Sequence, residues 1–129
     1  MSYPLLHRCP CLSGETYSAC CHRFHSGESM APTAESLMRS RYCAFAVDDA
    51  AYLLATWHPR TRPGSLVLDT ETAWTRLDIE ATSKGGPFDV DGVVEFTAHG
   101  RRAGQRMRQH ETSRFERMGR AWFYVDGFD

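Results

Sequence analysis

The hydrophobic positions of this chain change their period about halfway along. In the first half, Ala34, Leu37, Met38, Tyr42 and Phe45 recur at helical spacing and form one apolar stripe. Thr33, directly after Pro32, is placed to cap that helix ahead of Ala34-Glu35. Asp48-Asp49 ends it and caps a second helix, in which Ala50, Leu53, Leu54 and Trp57 fall at i, i+3, i+4 and i+7. His58-Pro59 stops the second helix, because the residue before a proline is pushed out of the helical region. A turn-rich stretch, Arg60-Thr61-Arg62-Pro63-Gly64, follows.

Beyond that stretch the pattern alternates. From Thr75 to Ser83, Leu77, Ile79 and Ala81 lie on one side and Arg76, Asp78 and Glu80 on the other, which predicts a strand. Lys84-Gly85-Gly86-Pro87 predicts a turn, Val90 to His99 a strand and Gly100 to Gly104 another turn. Gln105 to Met118 alternates as a long solvated strand, and Gly119-Arg120 turns into the β-prone Ala121-Trp122-Phe123-Tyr124-Val125. Helices first and an antiparallel meander afterwards give an α+β fold, with helices on one face of the sheet. At 129 residues with 42% hydrophobic content, the chain can bury a core of its own.

The first thirty residues follow neither period. Residues 7–25 carry little apolar material beyond Leu12, Tyr17 and Phe24, so burial alone cannot fold them. They do carry four of the five cysteines, spaced C-x-C-x8-C-C as Cys9, Cys11, Cys20 and Cys21. Thiolates this close together in a loop-rich segment are what a tetrahedral zinc ion needs. Zinc binding by such peptides, on the order of 10–16 kcal/mol, is ample to order about 20 residues. A closed four-ligand site has no open position for substrate, so the expected Zn(2+) is structural. His22 is an alternative fourth ligand to Cys21, and free buried thiols without metal are the plainer alternative to the whole site. An odd cysteine count and the strain of a vicinal Cys20–Cys21 bridge argue against disulfides. Two units are therefore expected: residues 1–30 as a zinc knuckle and linker, and residues 31–129 as the globular body. Cys43, in mid-helix, is expected to pack as a small hydrophobe.

Charge changes the picture little. The formal net charge is −1, so bulk electrostatics announce neither nucleic acid nor an acidic partner. Lys84 is the only lysine; the excess of arginine suits planar recognition of carboxylate or phosphate, and is also what a high-GC genome encodes. Seven arginines (Arg101, Arg102, Arg106, Arg108, Arg114, Arg117, Arg120) face two acids, Glu111 and Glu116, in the last third. They read as an edge guarded against aggregation, or as a weak contact with RNA or the ribosome. No apolar run approaches the ~20 residues of a membrane span, and the start lacks the basic and apolar regions of a signal peptide. The expected compartment is the cytoplasm, where thiols stay reduced.

Two resemblances organise these readings. The segment CPCLSGETYSACC resembles the SEC-C motif, a zinc-binding segment that also ends the preprotein translocase motor; Leu12 stands where such segments usually have glycine. The body resembles the YchJ family of small uncharacterised bacterial proteins. The matching stretches are Thr33 to Tyr42, Thr56-Trp57-His58-Pro59, His110-Glu111 with Ser113-Arg114-Phe115, and Trp122 to Gly127. The resemblance implies a nuclear transport factor 2-like (cystatin-like) body, a curved antiparallel sheet wrapping helices into an open cone. Cavities of such cones bind small molecules, and Arg41, Tyr42, Trp57, His58, His110 and Arg114 are the candidate lining. His58 before Pro59 is otherwise a helix C-terminal cap. On the long strand, His110, Thr112 and Arg114 share one face and Glu111, Ser113 and Phe115 the other, so His110 and Glu111 cannot act as a dyad. With no acid–base pair of defined spacing to name, the favoured reading is a non-enzymatic interaction module that meets an unidentified protein partner through the knuckle. The alternative is a small-molecule binder or small enzyme using the cone.

Overall fold

The computed structural model describes residues 3–128; Met1, Ser2 and Asp129, the outer ends of the two expected units, lie outside the described residues. A 3-10 turn (Tyr17–Ala19) and helix α1 (His22–His25) belong to the knuckle, and α2 (Ala34–Ala46) and α3 (Ala50–Ala55) follow. Strands β1 (Thr72–Lys84), β2 (Asp91–Arg102), β3 (Gln105–Met118) and β4 (Ala121–Phe128) form one antiparallel sheet in sequence order.

Helix α2 starts where its capping residues require. The Thr33 hydroxyl accepts from the Ser36 amide at 3.0 Å, and the Ser36 hydroxyl accepts from the Thr33 amide at 3.1 Å. This reciprocal pair satisfies two donors that a bare helix start would leave open. Asp49 caps α3 by accepting from the Tyr52 amide at 3.1 Å. The apolar stripe of α2 then meets the concave face of the sheet, where Ala34, Leu37, Met38 and Tyr42 pack against Leu77, Val94, Phe96, Phe115 and Trp122. Close approach is needed at the start of α2, where the Ala34 amide donates to the Gly85 carbonyl at 2.9 Å. A Cβ on Gly92 would stand 2.5 Å from the Gly85 Cα, so only glycine allows the β1–β2 hairpin to close under the helix.

The second helix is shorter than its pattern predicts. It ends at Ala55, and Trp57 forms a parallel bridge with Tyr124 of β4 instead of continuing the apolar stripe. The Tyr124 amide donates to the Thr56 carbonyl at 2.8 Å, and the His58 amide donates to the Tyr124 carbonyl at 2.7 Å. Backbone pairing to the sheet edge thus overrides the helical spacing, so Trp57 lies outside the helix and His58 is not its C-terminal cap. The strands run three residues further than the alternation indicates at the start of β1 and at the ends of β2 and β4; Gly100 is inside β2 rather than in a turn. It sits there because a side chain would meet the Ala73 carbonyl at 2.8 Å.

The knuckle is fastened to the helices. The His25 ring bridges the Tyr17 hydroxyl at 2.6 Å and the Ser40 carbonyl at 2.8 Å, and packs at a tilt with its centre 4.5 Å from that of the Tyr52 ring. Burial is the first cause holding the His25 pKa below its usual value, so the ring takes up this buried position in its neutral form.

Candidate functional site

Two places gather chemistry. In the knuckle, a turn closes between the Cys9 carbonyl and the Leu12 amide at 3.0 Å, and the Cys9 amide donates to the Glu15 carbonyl at 2.9 Å. This presents Cys9 and Cys11 from one arm, while the 3-10 turn and the start of α1 present Cys20 and Cys21 from the other. Leu12 takes φ +62°, the left-handed region in which an L side chain is strained and glycine is not. The departure from the usual glycine is therefore accommodated by strain, with Leu12 about half exposed.

The sulfurs of Cys9, Cys11, Cys20 and Cys21 all lie within 4.8 Å of one another. Four thiolates bound at ~2.3 Å around a tetrahedral ion stand about 3.8 Å apart, so this donor set fits a metal ion. Cys9, Cys11 and Cys21 are buried, all five cysteines are free, and His22 is outside the cluster. Crowding splits the thiols: S–H donation from Cys11, Cys21 and Cys43 holds Cys9 well below the ordinary thiol range, and interactions with Cys11, Cys43 and Cys9 push Cys21 above it. A cation placed among four converging sulfurs would favour the thiolate form of each.

Cys43 has a part that its helical position did not disclose. It is fully buried, and its sulfur lies 3.7 Å from that of Cys9, joining α2 to the cluster. It packs as a small apolar residue would, but against the thiols. A separation of 34 residues carries no local sequence signal, so only the packing of the knuckle on α2 reveals this neighbour.

The second place is a cavity of about 190 Å³ between α2 and the concave face of the sheet. Of the six expected lining residues, Arg41, Tyr42 and Trp57 border it. Arg41 is only 4% exposed, and its Nη1 donates to the Leu53 carbonyl at 2.8 Å and the Thr56 hydroxyl at 2.7 Å. Its guanidinium carbon lies 5.3 Å from the Trp57 ring and 4.6 Å from the Tyr124 ring. Burial lowers the Arg41 pKa to about 10, which leaves it a cation at neutral pH. Burial, then the Glu111 charge, pushes the Tyr124 phenol up to about 12, so it stays protonated. Two buried polar atoms, the Tyr42 hydroxyl and Trp57 Nε1, have no hydrogen-bond partner among the described residues.

The other three expected residues lie elsewhere. His58 is buried beside β4, accepting from the Arg60 amide at 3.0 Å through Nδ1 and placing Nε2 3.3 Å from Glu116. His110 faces away from the helices, 2.7 Å from Glu95, and Arg114 pairs on that same outer side with Asp126. Alternation along β3 holds, but its inward set is Glu111, Ser113 and Phe115. Glu111 and Ser113 border the cavity, the Ser113 hydroxyl donating to Glu111 at 2.6 Å. The signal for this was Phe115, whose large apolar side chain had to take the core side and carry Glu111 and Ser113 with it.

With this geometry in hand, comparison with known proteins places the chain. Residues 33–127 match the model described as YchJ, middle NTF2-like domain, and residues 8–23 match the SEC-C motif. The chain belongs to the YchJ family. A UPF0225 protein of Streptomyces coelicolor is 55% identical over 119 residues, covering 92% of this chain and 93% of that one. Another from Chromobacterium violaceum is 48% identical, covering 92% of this chain and 90% of its own. The solution structure of a SEC-C motif containing protein from Rhodopseudomonas palustris superposes with a TM-score of 0.80 at 32% identity, covering 93% of this chain and 96% of that one. The crystal structure of a second, from Psychrobacter arcticus, gives 0.76 at 27% identity, with 95% and 82% coverage. The NTF2-like α+β fold of this YchJ family member thus recurs together with a SEC-C segment. No helix among the described residues is long and apolar enough to cross a membrane.

Proposed function

We propose that this protein is a non-enzymatic binding module stapled by structural zinc. The observation that carries the metal is the convergence of four sulfurs within 4.8 Å from two arms of one short segment. Thiolate donors select zinc among the common divalent ions, and four of them close its coordination shell. The ion would hold the knuckle in shape and take no part in chemistry. Reduced thiols of this kind suit the cytoplasm.

The knuckle's role is to meet a protein partner. It exposes Leu5, Leu6 and Leu12, apolar side chains at 47, 81 and 49%. The arginines Arg101, Arg106, Arg108 and Arg120 make no ion pair among the described residues and would favour an acidic partner such as RNA or the ribosome as a weaker contact.

Metal analysis of purified protein tests the reading directly: about one zinc per chain is expected, lost on replacing Cys9 and Cys20 by Ser. Protein that is reduced, folded and free of zinc even after zinc is supplied would overturn it. For the partner, Leu6→Glu with Leu12→Glu should weaken association while leaving zinc content unchanged.

A second reading has its own support, the largely apolar cavity of the cone with two buried polar groups unpaired among the described residues. On that reading the body is a small-molecule binder, independent of the knuckle.

A further inference from the structure

The cavity under α2 has a property that a merely imperfect core would lack. Half of its lining residues are aromatic: Tyr42, Phe45, Trp57, Trp74, Phe96 and Tyr124. Yet the two polar atoms left without partners, the Tyr42 hydroxyl and Trp57 Nε1, belong to residues of this one wall, and Tyr42 is 3% exposed. An unsatisfied buried polar group destabilises a fold, because it gives up hydrogen bonds to water and gains none in return. Phenylalanine at position 42 would avoid that cost with almost the same shape.

Beside them lies a buried cation that no carboxylate contacts among the described residues. The Arg41 guanidinium has no carboxylate within salt-bridge distance among the described residues, its hydrogen bonds going to a neutral carbonyl and a hydroxyl through Nη1 alone. The two rings that flank it offset part of its desolvation. Trp57 Nε1 can only donate, the guanidinium can only donate, and a phenol donates readily. All three call for an acceptor, and the cation calls for a negative one. Glu111, from the strand side of the same lining, already accepts from Ser113 and attracts Arg41 only at longer range, so it leaves the guanidinium's remaining donors open.

Size narrows the choice. A dry cavity of about 150 Å³ accommodates benzene. The 190 Å³ measured here exceeds that by about 40 Å³, a little more than the roughly 30 Å³ share of one water molecule. We infer that the cavity binds a monocyclic aromatic carboxylate, its ring held among the aromatic walls and its carboxylate received by Arg41, Tyr42 and Trp57. The inference rests on the reading of the cone as a small-molecule pocket and names its ligand class.

Benzoate and benzyl alcohol, which share a ring and differ in charge, are the probes, and the tryptophan indole N–H resonances of the full chain are the readout. The Trp122 indole already donates to the Pro32 carbonyl at 3.2 Å and serves as an internal control. Benzoate should shift the Trp57 indole saturably and leave that of Trp122 in place, with benzyl alcohol binding at least about tenfold more weakly. Tyr42→Phe should weaken benzoate about tenfold while raising the Tm of the ligand-free protein, an opposition that a purely structural tyrosine would not show. Trp57→Phe repeats the test should Tyr42→Phe fail to fold. Equal binding of benzyl alcohol and benzoate would overturn the carboxylate and leave the pocket standing. Neither probe moving the Trp57 indole at millimolar concentration would overturn both, and a benzoate affinity unchanged in Tyr42→Phe would overturn the assigned contacts.

Discussion

The knuckle and the cone are ordered by different forces. In the knuckle, buried groups are thiols and rings packed around Cys9, Tyr17 and Cys21, and the apolar area is small. On the proposed reading, a few strong, directional bonds to one ion do what burial cannot. In the cone, order comes from Leu37, Val94, Phe115, Trp122 and their neighbours, each contributing through contact area. The difference teaches that damage should stay local in the first region and spread through the second, with Cys43 and His25 as the seam.

The sharpest break is removal of the metal. Replacing Cys9 and Cys20 by Ser forfeits binding on the order of 10 kcal/mol, so residues 7–25 should lose hydrogen-exchange protection while the amides of β1 to β4 keep theirs. Collapse of the sheet as well would show that the two regions are one cooperative unit.

The reverse break is Phe115→Ala, in a side chain 1% exposed. It should cost about 3–5 kcal/mol and lower the denaturation midpoint of the whole body, with zinc still bound at one per chain under native conditions. Cys43→Ala tests the seam: zinc stoichiometry should be unchanged, because the other four thiols complete the shell, with a loss of about 1 kcal/mol from the packing. Loss of the metal in that variant would make Cys43 a ligand.

Smaller effects sharpen the same contrast. Leu12→Gly should relieve the left-handed strain at φ +62° and stabilise the knuckle by up to about 1 kcal/mol, read as slower zinc release to a chelator. In the body, hydrogen bonding from Arg60 is the first cause holding the Glu116 carboxyl below its usual value. A carboxylate with a depressed folded pKa adds stability that is present above its unfolded pKa and lost as pH falls through the folded one. Glu116→Gln should therefore lower stability slightly at neutral pH and flatten the acid limb, converging with the unmodified protein at low pH; the change is small because the pair is exposed.

Legibility followed the range of the interactions. The caps at Thr33 and Asp49, the stripe of α2 and the bounds of β3 are set within a few residues, and pattern alone located them. Trp57 and His58 followed a helical spacing in sequence, but pairing with Tyr124 in β4 decided their place. The cavity divided in the same way: Arg41 and Tyr42 came from the helix pattern, while Glu111 and Ser113 needed the choice of which face of β3 turns inward.

The sequence by itself determined the cysteine array, because Cys9, Cys11, Cys20 and Cys21 are close enough along the chain to meet whatever the body does. It also determined the two periods, since a helix and a strand impose different spacings on the same need to bury apolar side chains. Only the tertiary structure decided that Cys43 stands 3.7 Å from Cys9, that His110 and Arg114 face outward, and that Tyr42 and Trp57 share a cavity with a buried arginine. Those are contacts between elements distant in sequence, fixed by the packing of α2 on the sheet and of the knuckle on α2, and no local pattern encodes them.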